Sequence, residues 1–368
     1  MKITRGVKRS RLVFVWGCVA AALGAAACNR TSVAAGTATT DPLPSWNDGP
    51  TKRAILDLVK ATTDRAGDRF VPIDDRIATF DQDGTLWVEH PLYTQGVFAL
   101  DRVRSLAPKH PEWKKDDTFK AILGGDEEAI GKFVESDWEK ILAVTHGGMT
   151  IQEFLADVEK WLASAKHPRF NRPYTELVYQ PMLEVMKLLR ANGFKTYIVT
   201  GGGQEFVRAY AARVYGVPPE QVVGSALHTK YEVKDGKPAL VRQPKVLLDD
   251  DHGGKPVGIN LFIGKRPIAA FGNSSGDAEM LAWTAASGRG GTRLMVLVHH
   301  DDAHREYAYG PAGGLPDTKV GTFPYALMKE AKAGRWHVVS MKNDWKNIFA
   351  FEQLAMTDKR AADSELSP

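Results

Sequence analysis

Two carboxylates stand one residue apart in Phe80-Asp81-Gln82-Asp83-Gly84-Thr85, directly behind the apolar run Ile77-Ala78-Thr79. A carboxylate so placed can attack phosphorus to give an acyl phosphate, which splits one hard hydrolysis into two easier displacements. A second acid is then needed to protonate the departing alcohol and later to activate water. Asp83 sits two residues on, across a turn that Gly84 makes possible. A carboxylate approaching a phosphate dianion meets like-charge repulsion. A hard cation held by oxygens relieves it, so Mg²⁺ is the expected partner.

Two further clusters suit the same chemistry. Thr200-Gly201-Gly202-Gly203 follows the apolar run "KTYIVT". The Thr200 hydroxyl and the N–H groups of Gly201 and Gly202, at a helix N-terminus, can donate to the three equatorial oxygens of a transferring phosphoryl group. Lys255, in "DDDHGGKP", can neutralise both the attacking carboxylate and the phosphate. Lys265 is the fallback, but it directly precedes a strand and so belongs at the other end of the sheet. A third polar cluster, Gly272-Asn273-Ser274-Ser275-Gly276-Asp277, ends another apolar run. A DxD turn alone is often a solvated loop and a lone TGGG a plain helix start. The weight lies in the order of these clusters and their shared place at strand ends, where open α/β sheets gather functional groups. His299, His300, Asp301, Asp302 and His304 look metal-like, but "HHDDAHREYAYG" reads as a polar loop after the fifth strand.

The elements that must position these groups are legible as alternating β and α signals. Strands are expected at Ile77–Asp81, Lys195–Thr200, "QVVGSAL", Pro267–Gly272 and Leu294–His300. Between them run "TELVYQPMLEVMKLLRANG", with Gly193 as its stop, and a helix from about Gln204 to Gly216. Apolar strands alternating with helices imply an α/β fold with a parallel sheet covered on both faces. The interval 93–172 shows helical spacing without a strand, and Thr150 with Glu153 forms a capping box opening its last helix. It reads as an all-helical insertion in a core formed by residues 51–92 and 173–350, with a polar tail at 351–368.

Taken together, these residues resemble the haloacid dehalogenase superfamily on its phosphatase branch: DxDGT, a strand-ending Thr, a Lys and an acidic loop, in that order. Cap placement and "PMLEVMKLLRANGFKTYIVTGG" look most like the phosphoserine-phosphatase-type group. The resemblance covers roughly residues 75 to 92 and 180 to 300, counting by motif context. It implies a Rossmann-like core with a helical cap after the first strand, and an Mg²⁺-dependent hydrolase of a small phosphomonoester. It further implies that Asp81, the Asp83 carbonyl, Asn273 and Asp277 serve the metal, that Asp81, Asp83, Thr200 and Lys255 are catalytic, and that Glu89, beside His90, faces the substrate. The chain departs from the pattern at Asn273, where the family usually has Asp. An amide oxygen still ligates Mg²⁺ but brings no charge, leaving more of the electrostatics to Asp277.

Composition narrows the alternatives. The net charge of +4 includes Lys2, Arg5, Lys8, Arg9 and Arg11, and without these five it becomes −1, so the charge gives no ground for a nucleic-acid partner. The same residues open an export signal: a basic start, the apolar run Leu12–Ala27 and then Cys28, which resembles the lipidated Cys of bacterial lipoproteins. The expected location is the cell envelope, with membrane contact only through an anchor on Cys28, and residues 29–50 read as a flexible tether. Cys18 and Cys28 are the only cysteines, which excludes a thiol nucleophile or a Cys-ligated zinc in the body. "IVTGGGQEF" lacks the GxGxxG spacing of a dinucleotide site. Two other functions stay open. The 2-haloacid dehalogenases lack the second Asp, because a halide leaves without a proton, so Asp83 opposes that one. A non-catalytic binding protein of the same fold has Asn273 as its sole support.

Overall fold

A computed structural model of the protein describes residues 41–286 and 292–352. The leader with Cys28, most of the expected tether and the tail beyond residue 352 lie outside them. The tether stops short of its expected end. Leu43 and Trp46 are fully buried, Trp46 packs edge-on against Trp345, and both the N–H and the hydroxyl of Ser45 donate to Glu184. A short sequence rich in Pro and polar residues is pinned here by two large apolar side chains, whose burial outweighs the low local propensity for order. At the other end, Glu352 accepts from the N–H groups of Ile348 and Phe349, and Phe351 stacks on Phe349.

Helix α1 (Pro50–Thr63) opens on a Pro and buries Ile55, Leu58, Val59 and Thr62, one stripe at helical spacing. Strand β1 (Ile77–Phe80) is buried at every position because it lies mid-sheet with neighbours on both sides. Six helices follow before the next strand, the first five being α2 (Thr94–Leu106), α3 (Asp117–Gly124), α4 (Glu127–Gly131), α5 (Glu135–His146) and α6 (Ile151–Leu162). Helices α2 to α5 enclose an apolar cluster of their own, which includes Leu100, Val103, Trp113, Phe119, Ile122 and Ile141, whereas Phe154, Val158 and Leu162 of α6 pack into the larger core cluster. The Thr150–Glu153 capping box is present at the start of α6.

The chain then returns to the sheet through α7 (Gln180–Ala191), β2 (Lys195–Gly203) and α8 (Gln204–Tyr215), which ends on Gly216 in the left-handed region. Next come β3 (Val222–Lys234), β4 (Lys237–Leu248), the short α9 (Gly254–Gly258), β5 (Ala269–Gly272), α10 (Ala278–Ala285), β6 (Leu294–His299), α11 (Tyr325–Gly334) and β7 (His337–Ser340). The seven strands run in the order β4-β3-β2-β1-β5-β6-β7, all neighbours parallel except β3 with β4. This is the expected Rossmann-like α/β arrangement, with α1, α7 and α8 over one apolar cluster and α10 and α11 over another.

The long β3–β4 hairpin differs from the short strand expected at "QVVGSAL". Its turn is Asp235-Gly236, both at positive φ (51° and 73°), the two-residue type that matches strand twist. That Asp-Gly pair is a strong short-range hairpin signal, but the exposed, polar flanks of β3 and β4 hide the alternation. The hairpin leaves the sheet and meets the helical insertion: Gly148 N–H donates to the Arg242 carbonyl and Arg242 N–H to the Met149 carbonyl. Two insertions, one helical and one β, therefore join above the strand ends.

Candidate active site

Asp81 follows β1 directly, and its backbone N–H donates to the Phe271 carbonyl of β5, locking it at the central strand's carboxyl end. The Lys255 ammonium reaches it from α9. All three of its protons are placed: Asp81 Oδ1 at 2.5 Å, Asp277 Oδ1 at 2.7 Å and the Val199 carbonyl at 3.0 Å. Burial pulls Lys255 down, but the Asp277 and Asp81 carboxylates overcome it and hold the amine above its ordinary value. For Asp81, burial and the Asp277 charge push the carboxyl up while Lys255 draws it back.

Asp83 is half-buried, and its Oδ1 accepts from the Trp87 indole N–H at 2.7 Å. Burial pushes it up to about 6, against the pull of that N–H and of Lys255, within reach of both protonation states near neutrality. Gly84, directly after Asp83, has φ +74°, and a Cβ there would lie 2.1 Å from Asn273 Nδ2, so no side chain fits the turn. Thr200 ends the apolar part of β2. Its hydroxyl accepts from the Gly202 N–H at 3.0 Å, so this N–H, expected to face a phosphate, braces Thr200 instead.

Asp277 lies across Lys255 from Asp81. Its Oδ2 accepts from the N–H groups of Asn273 and Ser274 while Oδ1 holds Lys255, so both oxygens are engaged in shaping the loop and aiming the lysine. Glu89 borders the cavity, yet its Oε1 accepts from Asn273 Nδ2 at 2.7 Å and from the Tyr309 hydroxyl at 2.6 Å. Lys265 pairs with Asp75 ahead of β1, at the opposite end of the sheet.

Several contributors carry no motif. The His300 ring lies 2.7 Å from the Gly84 carbonyl through Nε2 and 3.2 Å from Glu306 through Nδ1, both partners fully or nearly buried. The segment read as a plain polar loop thus buttresses the DQDGT turn. Gln95 of α2 accepts from the Gly203 N–H through Oε1 and lies 3.1 Å from His146 Nε2. Burial, together with the charges of Arg242 and Arg102, holds His146 well below its ordinary value, and the Gln95 contacts tie the insertion to the glycine loop. The cavity in front of Asp81 measures about 570 Å³. It is lined at its far side by Trp138, Leu142 and His146 of the helical insertion and by Leu227, Arg242 and Val246 of the hairpin.

Asp250, in the acidic run before Lys255, is fully buried, and burial pushes it up to about 8 against the Lys255 charge and the Thr200 backbone. A carboxyl raised in the folded state stabilises fully below its unfolded value near 3.8 and loses that contribution as pH rises through 8. Asp250→Asn is therefore expected to flatten the fall in stability between these values, by on the order of a few kcal/mol. Urea unfolding at pH 5 and 8 measures it, and an unchanged slope would refute the assignment.

No curated protein matches the chain. Among solved structures it is similar to a protein of unknown function from Anaerococcus prevotii (15% identity, TM-score 0.54, 83% of this chain and 97% of that one), a likeness that shows the fold. It also matches a protein of unknown function from Bordetella pertussis (19% identity, TM-score 0.43, 72% and 97%). A third match is a phosphoserine phosphohydrolase-like protein from Francisella tularensis (15% identity, TM-score 0.34, 61% and 88%). The family model for haloacid dehalogenase-like hydrolases matches residues 78–282, the stretch that runs from the first strand past Asp277 and so contains Asp81, Thr200 and Lys255. A match over more than half the sequence makes the chain a member of the haloacid dehalogenase-like hydrolase family, and a hydrolase.

Proposed function

We propose that this hydrolase is an Mg²⁺-dependent phosphomonoesterase of the phosphoserine-phosphatase-like kind, working through a phosphorylated Asp81. One observation carries the reading. A buried ammonium lies between two carboxylates at the floor of a cavity that also presents Thr200 and a second acid, Asp83, on the same turn.

The residues present suit a hard cation. Among the described residues meeting here, the carboxyls of Asp81, Asp83, Glu89 and Asp277 outnumber the Lys255 charge. The Thr85 hydroxyl lies 3.1 Å from Asn273 Oδ1 and 3.3 Å from Asp81 Oδ2, so these two oxygens share one side of the site. Asp81, the Asp83 carbonyl and Asn273 would hold Mg²⁺, an all-oxygen set. When bound, the ion supplies positive charge that offsets repulsion between carboxylate and phosphate.

The chain's own groups supply the rest. Lys255 keeps Asp81 Oδ1 in place and adds charge where the phosphate must sit. An Asp81 oxygen forms a bond to phosphorus as the bond to the alcohol oxygen breaks, and Asp83 gives that oxygen its proton. Asp83 then takes a proton from water, whose oxygen attacks phosphorus and frees Asp81. The Thr200 hydroxyl donates to a phosphoryl oxygen throughout. The two insertions bound the cavity, so the substrate is a small phosphomonoester with an organic part that packs against Trp138, Leu142 and Leu227.

Turnover of para-nitrophenyl phosphate tests this. Chelation is expected to lower it at least about 100-fold, and added Mg²⁺ to restore it. Full turnover after exhaustive chelation would sink the metal requirement. Halide release from a chloroacid without any phosphatase activity would sink the reaction class.

A further inference from the structure

We infer that Glu89 supplies, from the segment after the DQDGT turn, the acidic partner and the fixed orientation that the neutral Asn273 amide needs to serve a divalent cation. The inference rests on the proposed cation site at Asp81 and Asn273, and it gives Glu89 a positioning and electrostatic part rather than a substrate-facing one.

An amide has two ends of nearly equal shape, one donating and one accepting. Asn273 has both ends engaged. Its Nδ2 donates to Glu89 Oε1 at 2.7 Å, and its Oδ1 lies 3.1 Å from the Thr85 hydroxyl, itself 3.3 Å from Asp81 Oδ2. Turning the amide over would set its oxygen against a carboxylate oxygen, acceptor against acceptor. Glu89 thereby selects the orientation that turns Oδ1 toward Asp81.

The carboxylate is itself held hard. The Tyr309 hydroxyl donates to the same Oε1 at 2.6 Å, and main chain closes on it from two sides. A Cβ on Gly84 would fall 2.3 Å from Oε1 and one on Gly321 would fall 1.8 Å from it. Glu89 is 2% exposed and Asn273 1%, so the pair faces little competing solvent. A charge one amide away from a proposed ligand still acts on a cation at that ligand, and partners of this kind commonly change metal affinity 10- to 100-fold.

A double-mutant cycle with Mn²⁺ as the probe, by isothermal titration on the full chain without substrate, separates this role from others. Glu89→Gln keeps an acceptor for Nδ2 and removes the acid. It is expected to weaken Mn²⁺ binding at least about 10-fold in protein carrying Asn273. Asn273→Asp alone buries a second acid against Glu89 and is expected to lower the metal-free melting temperature. Adding Glu89→Gln to Asn273→Asp should recover that temperature and should not weaken Mn²⁺ binding.

An equal loss in both backgrounds would make Glu89 a general structural residue and overturn the inference, as would no loss in either. A higher KM for aryl phosphate with Mn²⁺ affinity unchanged would return Glu89 to the substrate and overturn it too. If the unaltered protein fails to bind Mn²⁺, the cation reading falls in the first titration and takes the inference with it. That result is distinct from a Glu89 variant that binds as tightly as its parent. The metal-free melting temperatures of Asn273→Asp with and without Glu89→Gln remain informative even if Glu89→Gln alone folds poorly.

Discussion

Asp81→Asn is expected to abolish aryl phosphate hydrolysis, a loss on the order of 10⁴-fold or more, while leaving the protein folded. The proposed chemistry leaves no substitute nucleophile. Asp83 shares the turn, but its Oδ1 is held by the Trp87 indole, and its proposed work is to carry protons. An amide in place of Asp81 is close in shape, and the backbone bond to the Phe271 carbonyl is untouched. It also removes a carboxyl that burial and the Asp277 charge push upward, so no large loss of stability follows. Acid-quench trapping with labelled substrate reads the result directly. The unaltered protein should carry phosphate on Asp81 and the variant should carry none. Undiminished turnover by the variant would show that another group attacks phosphorus.

Lys255→Ala should lose activity and stability together, the second large effect. Its ammonium places three protons on three acceptors, and the side chain is almost wholly buried. Without it, Asp81 and Asp277 face each other unneutralised. Breaking a buried ion pair by deleting one partner costs about 3–5 kcal/mol. Loss of a positioned charge at the reacting phosphate lowers turnover by about 10² to 10³. The two effects are read separately, by urea unfolding without substrate and by turnover at a temperature where the variant is still folded. Unchanged stability would mean that Lys255 is not the neutralising group for the two acids. Normal turnover in a destabilised variant would confine it to structure.

The candidate site residues were legible because reacting groups need particular residue types at strand ends. Asp81, Asp83, Thr200, Lys255, Asn273 and Asp277 all meet around one cavity or its floor, although they span nearly two hundred positions. What each group touches was less legible. The Gly202 N–H turns to Thr200, Asp277 spends both oxygens on Lys255 and its own loop, and Glu89 binds Asn273. A hydrogen-bond partner is chosen among all groups brought within about 3 Å, whether from the same loop or from remote segments. His300 and Gln95 illustrate the point. One is a histidine in a polar stretch and the other a glutamine in an ordinary helix, and neither has local spacing that sets it apart.

The sequence by itself determined the alternation of buried strands and helices, the helical insertion after the first strand, and the acid and hydroxyl at successive strand ends with the amine following in the chain. These follow from side-chain periodicity, turn chemistry and the reactivity of residue types, all of which act over short stretches. Only the tertiary structure decided that residues 41–50 are anchored by Trp46, that a β hairpin closes over the cavity beside the helical insertion, and that Glu89 and Tyr309 orient the Asn273 amide. Those outcomes depend on burial and hydrogen bonding between segments far apart in the chain. Their free energies arise only once the fold has excluded water and brought the partners together.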